Sequence, residues 1–90
     1  MKVFKSTRKD KKYMLEYQGK TIHFGQKGAS DYLQHKDPKR KELYLARHRK
    51  RENWTRSGAN TAGFWARWIL WNDPTTIEDN MRKVHKKFNI

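Results

Sequence analysis

The residues able to do chemistry in this chain are few acids, four histidines and a large excess of cations. Asp31, His35 and Asp37 lie close together in sequence, and carboxylates with an imidazole can hold a divalent metal and activate water for phosphodiester hydrolysis. That would make a small metal-dependent nuclease. The same acids have simpler roles, because Asp37 precedes a proline as a helix N-cap and Ser30 or Asp31 suits the cap of a short turn. His23, His35, His48 and His85 show no HxxxH or HExxH spacing, and there is no cysteine, so no metal site and no cofactor is expected. Catalytic residues are not assigned, and the chain reads as a binding protein.

The cations carry the stronger signal. Lys and Arg number 22 against 9 Asp and Glu, a formal net charge of +13 over 90 residues. A domain this cationic repels itself, and its natural partner is a polyanion, nucleic acid first. Phosphate contacts alone do not separate DNA from RNA, so RNA stays open beside double-stranded DNA. The absence of cysteine fits a reducing compartment, and the start, MKVFKSTRKDKKYM, has no apolar stretch of the signal-peptide kind. No membrane partner is expected.

One stretch must hold the domain together. TAGFWARWILWN, Thr61 to Asn72, carries Phe64, Trp65, Trp68, Ile69, Leu70 and Trp71 around a single charge, Arg67. Helical spacing puts Phe64, Trp68 and Trp71 on one face, with Trp65 and Ile69 beside it, which predicts a helix wrapped by the other elements. At about twelve residues it is shorter than the roughly twenty a bilayer requires. Before it, YMLEY and KTIHFG flank Gln18 and Gly19 and read as a β-hairpin, with Tyr13, Leu15 and Tyr17 on its core face. The loop FGQKGAS has two glycines but neither GxxxxGK nor GxGxxG spacing, so ordinary turns are favoured over a phosphate cradle.

From Pro38 to Asn53 the sequence predicts a second helix, with a narrow stripe of Leu43, Tyr44 and Leu45 filled out by Ala46 and the His48 ring. Its other faces hold Lys39, Arg40, Lys41, Arg47, Arg49, Lys50 and Arg51, opposed only by Glu42 and Glu52. Residues 1–12 form a separate basic arm with Arg8, Lys9, Lys11 and Lys12, and Arg56 follows in the connection to the aromatic helix. Trp54 suits a core lid better than a base-stacking platform. After Asn72, Asp73 and Pro74 break the chain, Thr75 and Glu78 form a T-x-x-E capping box, and a last helix buries Ile77, Met81, Val84 and Phe88. The expected fold class is α+β: a small N-terminal β-hairpin packed with three helices around the central aromatic helix, in one compact domain over residues 13–90.

The middle of the chain, HFGQKGASDYLQHKDPKRKELYLARH and then GANTAGFWARWILWN, resembles a family of short basic proteins of large double-stranded DNA viruses of the marseillevirus type. The resemblance covers residues 13–72 and departs at Ala66, where relatives tend to carry Ser. It implies a viral protein of the virion or of the viral factory in the host cytoplasm, with the host nucleus as a further location. Within the motif it singles out Arg40, Arg47, His48 and Arg67. Arg67 has two readings, a phosphate ligand or an ion-pair partner for Asp31 or Asp37. Together these features predict a DNA-binding protein that contacts phosphates with little sequence preference and coats, condenses or packages a viral genome. The other readings are the small nuclease and a structural adaptor for acidic viral or host proteins.

Overall fold

The computed structural model describes residues 1–90. Its architecture is a three-stranded antiparallel sheet followed by helices, an α+β fold as the sequence predicts. Strands β1 (Phe4–Lys5), β2 (Lys11–Tyr17) and β3 (Lys20–Gln26) lie in that order. The β2–β3 turn is Gln18-Gly19, with φ of 50° and 78°; two successive positive φ values match the right-handed twist of the strands and need a glycine at the tighter position. Register follows from the turn: Leu15 faces Ile22 and Tyr13 faces Phe24, which sets the apolar side chains of both strands on one face. Leu15, Ile22 and Phe24 are buried; Tyr13 and Tyr17 are half-buried beside them.

Residues 1–12, expected as an independent arm, run along this sheet. Phe4 pairs with Met14, Lys5 pairs with Tyr13, and the Ser6 amide donates to Lys12 O, so the boundary expected at residue 12 falls inside a hydrogen-bonded ladder. A two-residue strand has no periodicity to betray it; its partner strand makes it.

The helices are α1 (Tyr32–His35), α2 (Pro38–His48), α3 (Ala62–Trp65) and α4 (Ile77–Phe88). Asp31 caps α1 through a reciprocal box with Gln34, Asp37 caps α2 ahead of Pro38, and Thr61 caps α3. The α4 cap is Thr76, which accepts from the Asp79 amide, and not Thr75, whose hydroxyl donates to the Asp79 carboxylate. Helix α2 ends at His48, short of the expected Asn53, and residues 49–51 form a turn. There the Glu52 carboxylate doubles back to His48 Nδ1 at 2.9 Å and accepts the Trp54 indole N–H at 2.8 Å.

The aromatic segment departs most from expectation. After one α-turn it widens into a π-turn, Ala66–Leu70, closed by the Trp71 amide donating to Ala66 O five residues back. The extra residue rotates the rest of the segment. Phe64, Trp65, Ile69 and Leu70 become the buried set, while Trp68 and Trp71 are half-buried flanks. Trp65 is fully enclosed, with its indole N–H donated to Ala59 O at 2.6 Å. On α4, Met81 and Val84 close the core, with Ile77 and Phe88 half-buried at its edge.

The carbonyls at the end of the π-turn lack helical partners, and side chains satisfy them. Asn80, fully buried, donates to Ile69 O at 2.8 Å and to Asp73 O at 3.1 Å. Asn80→Ala should cost about 2 kcal/mol by taking the side-chain donor from Ile69 O in the core, while Asp73 O keeps the Thr75 amide. Thermal unfolding would register this as a melting temperature lower by roughly 8–16 °C for a domain of this size.

Candidate nucleic-acid interface

Helix α2 is anchored to the domain mainly by Tyr44, its one buried residue. The Tyr44 ring stacks on Trp71, with centroids 4.2 Å apart and planes 3° from parallel, and His48 stacks on its opposite side at 4.2 Å. Burial, and then the Glu52 carboxylate nearby, push the Tyr44 phenol well above its ordinary pKa. With Tyr44 as its only buried residue, α2 stands off the sheet and leaves an open groove of about 1180 Å³ between itself and the loop that follows β3.

Three walls enclose the groove. One is the end of β3 and the loop after it, residues 25–30, with Lys11 and Lys12 of β2. The second is the α2 face bearing Arg40, Leu43 and Arg47, which the helical repeat brings into one row. The floor comes from Ala62, Gly63, Ala66, Leu70 and Trp71. Gly25, near the end of β3, has φ of +80°, and a Cβ there would lie 2.8 Å from Leu70 Cδ1, so only glycine suits the strand at this point. Leu43, expected in the apolar stripe, instead projects at 57% exposure, and Ala46 is also exposed; the stripe's true anchor is Tyr44.

The expected phosphate ligands separate into two groups. Arg40, Arg47, Lys11, Lys12 and His48 line the groove. Lys39, Arg49, Lys50 and Arg51 stand exposed on α2 and in the turn after it, Arg56 is exposed in the 3-10 turn Arg56–Gly58, and Lys9 is exposed between β1 and β2. Arg8 is also exposed and pairs with Asp10 at 3.1 Å.

Several of these cations already have partners. Lys12 Nζ lies 2.8 Å from Asp31 Oδ2, an ion pair in which the side chains are 14% and 5% exposed. Lys41 Nζ donates to Asn72 O at 2.6 Å and sits 5.1 Å from the Tyr32 ring centroid. Burial, with the Arg67 charge next in importance, lowers the Lys41 pKa.

Arg67 pairs with neither Asp31 nor Asp37. Its Nη1 donates to Trp71 O at 3.0 Å, and the guanidinium lies 4.2 Å from the Trp68 ring and 5.4 Å from Trp54. Burial lowers its pKa. Lys41 and Arg67 thus close adjacent carbonyls at the negative end of the core helix, a structural use of charge. Trp54 is half-buried under Arg67, and its backbone carbonyl accepts the Trp68 indole N–H at 2.9 Å.

The metal reading finds no cluster to stand on. No three His, Cys, Asp or Glu side chains gather where they could hold an ion. Asp31 is occupied by Lys12 and the α1 cap, the Asp37 carboxylate by the α2 cap, and His35 Nδ1 by the Asp37 amide. Lys27 is the groove cation that sequence reasoning passed over; its position between Gly25 and Gly28 in FGQKGAS was the available signal. No helix is long and apolar enough to cross a membrane.

The chain belongs to a family of unknown function (DUF5754), whose family model matches residues 1–48. That span holds the whole sheet, the loop and α2, two of the three groove walls. No curated protein and no solved structure matches the chain.

Proposed function

We propose that this member of the family binds nucleic acid, double-stranded DNA first, through its phosphates and with little sequence preference, and so helps to coat, condense or package a viral genome. The observation that carries the reading is the set of cations without acid partners around α2. Arg40, Arg47, Lys11 and Lys27 line the groove, and Lys39, Arg49, Lys50 and Arg51 stand exposed on the same helix and the turn after it. Both acids in the groove are engaged from within the chain, Asp31 by the Lys12 ammonium and Glu52 by hydrogen bonds with His48 Nδ1 and the Trp54 N–H. What remains is positive potential facing solvent, which draws in a polyanion. The viral setting, in the virion and the viral factory, rests on the resemblance over residues 13–72.

Phosphate-dominated binding has a measurable signature. Neutralising about six phosphates of a duplex makes log K fall against log salt with a slope near −5. Fluorescence anisotropy on two unrelated duplexes should give this slope for both, and an RNA duplex beside them reports any preference for DNA. Arg47→Ala, Arg49→Ala and Lys50→Ala combined should weaken binding to both duplexes alike and reduce the slope by about one per lost contact. Because all three side chains are exposed, the melting temperature should move by only a few degrees. Unchanged affinity in the triple variant would place the binding face elsewhere, and no binding at low salt would end the nucleic-acid reading.

A further inference from the structure

The groove has a feature that phosphate contact does not use. Leu43 projects from α2 at 57% exposure between Arg40 and Arg47, toward a floor that includes Ala62 and Ala66. The lining therefore combines apolar side chains on the helix wall and the floor with cations, Lys11 and Lys27 on the sheet side and Arg40 and Arg47 beside Leu43 on the helix side. We infer that this groove holds an unpaired nucleic-acid strand, its phosphates on Lys27, Arg40 and Arg47 and its bases against Leu43 and the alanines of the floor. The inference rests on the nucleic-acid reading above and adds to it a second, strand-selective mode.

The chemistry of the two forms of nucleic acid separates them. A duplex keeps its bases paired and stacked inside, so it meets a protein of this kind with phosphates only and would leave the apolar floor wet. An unpaired strand presents base faces and phosphates together, and the groove offers a surface for each. Its volume of about 1180 Å³ exceeds the roughly 300–1,000 Å³ of small-molecule sites, which suits linked nucleotides better than a single small ligand.

The Tyr44 ring is already stacked and offers no face to a base. Trp71 and His48 cover the two faces of Tyr44, and His35 packs against Trp71 at 5.3 Å. Bases against Leu43 and the alanines would rest on aliphatic carbon, which gives little discrimination among them. An acidic helical peptide would also satisfy the cations, but it needs a longer continuous apolar face than Leu43, Ala62 and Ala66 provide.

The test uses the full chain and anisotropy of a labelled 20-nucleotide oligothymidine beside a 20-base-pair duplex at the same salt. The strand should bind about fivefold more tightly than the duplex, from the added apolar contact. Leu43→Ser keeps the charge and, the side chain being exposed, keeps the fold; it should remove most of that advantage while leaving duplex affinity within about twofold. Arg40→Ala with Arg47→Ala should weaken both ligands. A strand that binds no tighter than duplex, or a Leu43→Ser variant that leaves strand binding untouched, overturns the groove assignment while the duplex reading stands. Displacement of the strand by an acidic amphipathic peptide at equal concentration also overturns it. Failure of both nucleic acids at low salt removes the parent reading itself.

Discussion

Trp65→Ala should leave a chain that no longer melts cooperatively near the temperature of the wild type. Trp65 is fully buried, with Phe64 edge-on at 4.9 Å, Tyr17 at 5.9 Å and its indole N–H bonded to Ala59 O. Truncating a core tryptophan costs about 3–5 kcal/mol. Small domains have total stabilities of roughly 5–15 kcal/mol, and a chain of this length sits toward the lower end. The melting temperature should fall by about 15 °C or more, tracked by near-UV circular dichroism, which reports aromatic packing. Trp65→Phe should recover part of the loss by refilling volume without restoring the bond to Ala59. A Trp65→Ala protein that melts within a few degrees of the wild type would mean that the core is centred elsewhere.

Lys12→Met should be nearly as damaging, for an electrostatic reason. The Asp31 side chain is 5% exposed, and Lys12 is its only cationic partner. Removing one member of a buried pair strands the other charge and costs about 3–5 kcal/mol, whereas removing both charges is often close to neutral. Lys12→Met with Asp31→Asn should therefore recover most of the stability, since asparagine still serves as the α1 cap. Chemical denaturation of the two single variants and the double variant closes the cycle. If Lys12→Met alone left stability intact and weakened DNA binding, Lys12 would be a phosphate ligand and its pairing with Asp31 incidental.

That second prediction marks where a cation's type stops being informative. Lys12, Lys41 and Arg67 look in the sequence like Arg40 or Arg47, as members of a basic population around a motif. Their fates differ because of what lies across from them. Lys12 meets a carboxylate nineteen residues away in the chain, while Lys41 and Arg67 meet the carbonyls at the end of the core helix. Arg40 and Arg47 meet solvent in a groove. The Asp31 side chain also shows why proximity in sequence misleads: Asp31, His35 and Asp37 are neighbours along the chain, yet the two carboxylates do not converge, Asp31 turning to Lys12 and the α1 cap and Asp37 to the α2 cap.

Local chemistry was legible wherever a few adjacent residues decide the outcome. Gln18-Gly19 dictates the hairpin turn, Asp37 with Pro38 starts α2, Thr61 starts the aromatic helix, and alternation puts Leu15 on the core side. Each depends on backbone preferences or hydrogen bonds that span four residues or fewer. The net charge was equally legible, since it needs only a count. Tertiary structure alone decided the rest. Strand β1 exists because β2 offers it a partner. The π-turn exchanges the buried and flanking tryptophans because one extra residue in a turn is invisible to a 3.6-residue period. The groove exists because α2 is fastened to the aromatic segment, by Tyr44 on Trp71 and Lys41 on Asn72 O, and held off the sheet, which exposes Leu43 and aligns cations from three separate segments. A site of that kind is a distance between elements, and no local pattern of residues encodes a distance.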